Sequence, residues 1–179
     1  MRRKRILIAT LLALATAGGA YYFLIDTYHF AIVKEGVLYR DGFQGMRRFR
    51  TGYRSHPFKS VINLQSAGDI AGKYKEQEAA ERKFCEERGI RYYRIPMKQG
   101  TPPSPEQAAR MLSLMDDSAN HPVFMHDSQG IIREGMMVAL FQMERMGYSP
   151  ERALKEARWF GHDESPVMVK FINSYRLTK

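Results

Sequence analysis

Between Val123 and Phe141 the chain carries a run whose residue types and order suit the holding of an anion. Apolar Val123-Phe124-Met125 leads into His126, Asp127, Ser128, Gln129, Gly130, Ile131, Ile132, Arg133, Glu134 and Gly135, and apolar Met136 to Phe141 follow. The pattern predicts a buried strand, a short glycine-containing loop and a helix N-terminus. Successive backbone N–H groups in such a loop, added to the helix dipole, form an anion cradle. Arg133, in the first helical turn, closes it with a two-pronged guanidinium.

The elements that must position this loop are legible as alternating runs. Ala31-Ile32-Val33 and Val37-Leu38-Tyr39 around Glu35-Gly36 predict two short strands and a turn. Ser60 to Leu64, Tyr92 to Ile95 and Pro122 to His126 predict three core strands. Tyr74 to Arg88 is helical in composition and stops at Gly89. Ser104-Pro105-Glu106-Gln107 and Ser149-Pro150-Glu151 mark two further helix starts. Strands alternating with helices predict an α/β fold whose central, largely parallel sheet is flanked by helices.

The loop resembles the active-site loop of cysteine-dependent protein tyrosine and dual-specificity phosphatases, whose pattern is His-Cys, five residues including a glycine, Arg, Ser or Thr, Gly. His126, Gly130, Arg133 and Gly135 match in order and spacing. Lys34 to Arg40, Ser60 to Leu64, Tyr93 to Met97 and Gly147 to Leu154 look like other elements of that family, so the resemblance covers roughly residues 30 to 160. It implies phosphate monoester hydrolysis through a thiolate, with the arginine holding the phosphoryl oxygens and an aspartic acid from another loop protonating the leaving group.

At three positions the chain departs from that pattern. Asp127 stands in the place of the cysteine, Glu134 in that of the hydroxyl, and Lys98 to Pro102 offers no carboxylate as general acid. Asp127 is expected to accept hydrogen bonds from the loop amides, pair with Arg133 and fill the cradle. An incoming phosphate then meets a like charge; at about 4 Å and an effective dielectric near 20 the repulsion is ~4 kcal/mol, about three powers of ten in binding. His126 is expected to order the loop through hydrogen bonds rather than to exchange protons.

These substitutions point to a pseudophosphatase that binds or scaffolds. Two other readings stand beside it: residual hydrolysis through Asp127 or a water, and an active phosphatase whose cysteine has been exchanged for aspartate. No cofactor is expected, and the five histidines show no metal-ligand spacing. Cys85, the one cysteine, reads as a small buried apolar residue.

Residues 1–25 read as a membrane anchor and 26–179 as the phosphatase-like domain. Ile6 to Ile25 are twenty consecutive uncharged positions, about 30 Å as a helix, behind the basic block Arg2-Arg3-Lys4-Arg5. The positive-inside bias keeps the N-terminus cytoplasmic and places the domain across the membrane. Ala15-Thr16-Ala17 leaves open a cleaved signal peptide, which would make the domain secreted or periplasmic.

The net charge of +9 includes that basic block, and the +5 left without it suits anionic partners in general: a phosphorylated protein, an anionic lipid or another anion. Nucleic acid is not expected. Arg40, Arg47, Arg48, Arg50, Arg54 and Lys59 are interleaved with Phe43, Phe49, Tyr53 and Phe58. They predict a solvated basic helix with its aromatics in the core, with contact to lipid headgroups or a phosphorylated partner as the functional alternative. Trp159 to Asp163 is expected to end a helix with its aromatics packed inward.

Overall fold

A computed structural model of the 179-residue chain describes residues 2–21, 29–43, 45–72, 74–157 and 165–175. Helix α1 (Arg2–Tyr21) is followed by strands β1 (Ala31–Lys34) and β2 (Leu38–Gly42), helix α2 (Met46–Ser55) and β3 (Ser60–Asn63). Next come α3 (Ala67–Ala71), α4 (Lys75–Glu86), β4 (Arg91–Arg94) and α5 (Pro105–Asp116). The chain then forms β5 (Val123–Asp127), α6 (Arg133–Met146), α7 (Pro150–Ala157) and α8 (Pro166–Ser174).

The five strands lie in the order β1-β2-β5-β3-β4. β1 joins β2 through an antiparallel hairpin, and every other pairing is parallel, as expected. Alternation along the strands sends Leu38, Ile62, Val123 and Met125 to one face, where α5 to α8 cover them. Tyr39, Val61 and Phe124 go to the other, where they meet Phe49 of α2 and Phe84 and Cys85 of α4. Helix α6 is buried from Arg133 through Met143, because the sheet lies on one side of it and α5, α7 and α8 on the others. The fold thus places β5 at the middle of the sheet, with the loop at its carboxyl end and the most enclosed helix behind it.

The predicted strands and the starts of α5 and α7 fall where the sequence put them. Ser104 and Gln107 form the reciprocal capping box that opens α5, and Gly89, at φ +64°, follows α4. Cys85 is fully buried. The sequence reading lacked α3, five residues with an internal glycine, and α8, which Ser165 caps. Trp159 to Asp163 lies outside the described residues.

At the amino terminus the structure supplies a helix. Helix α1 takes up positions 6–21 of the expected span, while 22–25 lie outside the described residues. Among the described residues no helix is long and apolar enough to cross a membrane. Ile6, Leu7, Ile8, Leu11, Leu12 and Leu14 are each 56–64% exposed.

Candidate functional site

The carboxylate of Asp127 is buried within the loop that follows it. Its Oδ1 accepts the backbone N–H of Gln129 at 2.7 Å and that of Gly130 at 2.5 Å, and its Oδ2 accepts that of Glu134 at 3.4 Å. Three amides that lined the expected cradle are thereby directed at one side chain. The loop turns this tightly because two glycines let two backbones meet. Gly130 has φ +72°, and a Cβ there would fall on the N of Gly42, while a Cβ on Gly42 would lie 2.5 Å from the carbonyl carbon of Gln129. The loop is also tied at Gln129, whose carbonyl lies 2.6 Å from His29 Nδ1.

Arg133 is where expected, in the first turn of α6 and almost buried, but its closest carboxylate is one the sequence reading missed. Its Nη1 donates to Asp69 Oδ2 at 2.6 Å and to the Met97 carbonyl at 3.2 Å, and its Nη2 to Ser128 Oγ at 3.1 Å. The expected pair with Asp127 is longer, 3.5 Å from Nε to Oδ2. Asp69 is the third helical residue of α3 and exchanges hydrogen bonds with Ser66 in a capping box. Partial burial opposes its charge, yet the bonds from Arg133 and Ser66 outweigh this and hold its carboxyl below the ordinary range. Ser66-x-x-Asp69 was the signal available in sequence, since a serine followed three residues later by an acid can start a helix. Nothing local announces that the acid reaches Arg133.

Glu134 is fully buried. Its Oε2 accepts from Arg40 Nη2 at 2.5 Å, behind the loop, and the same Arg40 nitrogen donates to the Gly130 carbonyl at 3.0 Å. Burial lifts the Glu134 pKa well above the usual carboxylate value; Arg40 draws it back and the Asp127 charge raises it further. The residue at the place of the family's hydroxyl is therefore half of a buried ion pair whose arginine also bonds the loop at Gly130. Arg40, first read as part of the basic cluster, belongs to this site.

The partner of His126 is Glu81 of α4, 2.7 Å from Nε2, with both side chains fully buried, and Nδ1 lies 3.3 Å from the Asp127 carbonyl oxygen. Burial works against a charged ring, but Glu81 more than compensates and raises the His126 pKa. From Glu81 a chain of polar contacts runs through Tyr92, Asn63 and Gln65 to Ser128. Asp41 lies beside the loop with its Oδ1 accepting the Gly42 N–H, and burial pushes its pKa to about 7. Of the remaining loop residues, Ile131 and Gly135 are buried, Ile132 is half-buried and Gln129 is exposed. Cys85 cannot supply the nucleophile: burial, with Glu81 nearby, pushes its thiol up to about 12. No cluster of residues suited to a metal ion is present among the described residues.

With this geometry in place, known proteins locate the fold. The core catalytic domain of the PP-IP phosphatase SIW14 from S. cerevisiae, in complex with citrate, superposes with a TM-score of 0.69 at 21% identity, covering 83% of this chain and 85% of that one. TpbA of P. aeruginosa gives 0.64 at 17% identity, covering 84% and 86%. At these identities the likeness is one of fold. The probable chloroplastic NAD kinase 2 of Oryza sativa subsp. japonica is 38% identical over 50 residues, 28% of this chain and only 5% of that protein's length. The family described as a DSP-PTPase phosphatase fused to NAD+ kinase matches residues 42–170, which take in the sheet from the end of β2 onward, the loop and all of α6 and α7. A match of that extent makes this chain a member of that dual-specificity, protein tyrosine phosphatase-like family.

Proposed function

We propose that the chain is a membrane-anchored pseudophosphatase, a binding or scaffold module in which the family's phosphate site is filled by the protein itself. One observation carries this reading: the Asp127 carboxylate accepts the amides of Gln129, Gly130 and Glu134. Donors used in this way are not available to a phosphoryl group, and Arg133, paired with Asp69, has little charge left to offer. A carboxylate nucleophile commonly relies on a bound divalent cation to offset charge at the phosphoryl group, and among the described residues no group of His, Cys, Asp and Glu is suited to hold one.

The anchor is α1 with the residues that follow it. Its exposed leucines and isoleucines have the character of a lipid-facing surface, and the basic block before them sets the N-terminus cytoplasmic and the domain on the opposite side. The test of catalysis uses the purified chain with p-nitrophenyl phosphate, with and without Mg²⁺. No turnover above that of Asp127→Asn is expected in either condition. Hydrolysis that disappears in Asp127→Asn would replace this reading with an aspartate-dependent phosphatase.

A further inference from the structure

The positive charge of the domain is confined to one short stretch. Apart from Arg2 to Arg5 the chain has a net charge of +5, and residues 42–68 contain five basic residues (Arg47, Arg48, Arg50, Arg54 and Lys59) and no acidic one. The rest of the domain is therefore electrically balanced. Arg47, Arg48, Arg50 and Arg54 lie in α2. Phe49 is buried and Tyr53 packs edge-on against Phe58 and Phe84, whereas Arg47, Arg50 and Arg54 are exposed at positions that share one side of the helix, Arg50 with its guanidinium carbon 6.0 Å from the centroid of the Phe84 ring.

The tether from α1 arrives beside this helix. Phe30, which precedes β1, packs at a tilt against His56 at the carboxyl end of α2 with ring centroids 4.8 Å apart. Nine steps of chain separate Tyr21 from Phe30, which reach at most about 30 Å. A domain tethered at that point keeps α2 within that reach of the bilayer.

We infer that the Arg47, Arg50 and Arg54 face of α2 docks on an anionic lipid surface and orients the domain against the membrane that holds α1. This rests on the anchored reading proposed above. The attraction is that of basic side chains for a negative surface potential, so it decays within a Debye length, about 10 Å at 0.1 M salt.

The test uses the full chain with a fluorophore on Ser55→Cys, in nanodiscs of phosphatidylcholine with or without phosphatidylglycerol, and a quenching nitroxide on the lipid headgroup. Quenching is expected to be several-fold stronger in the anionic discs, to fall in high salt, and to be lost in Arg47→Glu/Arg50→Glu/Arg54→Glu. Arg54→Glu/Lys59→Glu serves as a milder second variant should the triple one not fold. Equal quenching in both discs, or quenching indifferent to these substitutions, overturns the inference, including the case in which α2 serves an acidic protein instead. A chain that does not insert, yet binds preformed phosphatidylglycerol vesicles through the same arginines and releases in salt, overturns the anchor and supports the docking face. A chain that does neither overturns both.

Discussion

At the scale of single residues, the site is a set of buried charges with assigned partners, and each assignment has a measurable consequence. Removing the carboxylate in Asp127→Ala returns the loop amides to solvent or ligand. Sulfate binding, measured by calorimetry, is expected to tighten by at least tenfold, and further in Asp127→Ala/Asp69→Asn because Arg133 then also becomes available. No gain in either variant would show that Asp127 is not what excludes anions. Asp41 is a second case. Its pKa is raised by burial from 3.8 to about 7, so between those values the folded state holds a proton that the unfolded chain has released. Stability from this group is thus full below about pH 4 and is lost as pH rises to 7. In Asp41→Asn, whose amide oxygen can still accept from the Gly42 N–H, urea midpoints between pH 4 and 7 should decline less than in the parent. Glu134→Ser, which appears in sequence to restore a hydroxyl, should instead cost about 3–5 kcal/mol by leaving Arg40 buried without its carboxylate.

At the scale of elements, the loop is shaped by backbone approach as much as by side chains. Gly130→Ala puts a methyl on the backbone of Gly42 at a positive φ, and a drop in Tm of more than 10 °C is expected from calorimetry, about 3 kcal/mol or more. The strands and the capped helices were readable because β-branched runs, Ser-Pro starts and Gly stops are local signals. What was not readable depended on contacts distant in sequence. Asp69 reaches Arg133 across 64 positions, Glu81 reaches His126 across 45, and Arg40 reaches Glu134 across 94. Sequence therefore showed the loop and its residues, and the fold supplied their partners. The aromatic half of α2 was legible for the opposite reason, since its spacing alone sets which side faces the core. If the loop keeps a phosphate-binding shape, Asp127→Cys should form a phosphocysteine with an aryl phosphate, visible by mass spectrometry, with a burst and slow release. A folded variant with no adduct would mean that the shape depends on the aspartate.

At the scale of the whole molecule, topology and stability are the testable quantities. Protease added to intact spheroplasts is expected to degrade the domain while leaving cytoplasmic markers whole; protection until lysis would reverse the orientation. The satisfied loop has one more implication. Active sites commonly retain strain and unpaired polar groups because function needs them, and a protein relieved of that need can convert them into folding energy. On the pseudophosphatase reading proposed above, the amides bound by Asp127 are such a conversion. Asp127→Cys, though close in size, gives up charge-assisted bonds, and at about 1.5–3 kcal/mol for one such bond its Tm should lie roughly 5–10 °C below the parent. Placing a thiol in the loop would then make the protein less durable, and a trade between reactivity and robustness would be measurable by substitution at one position.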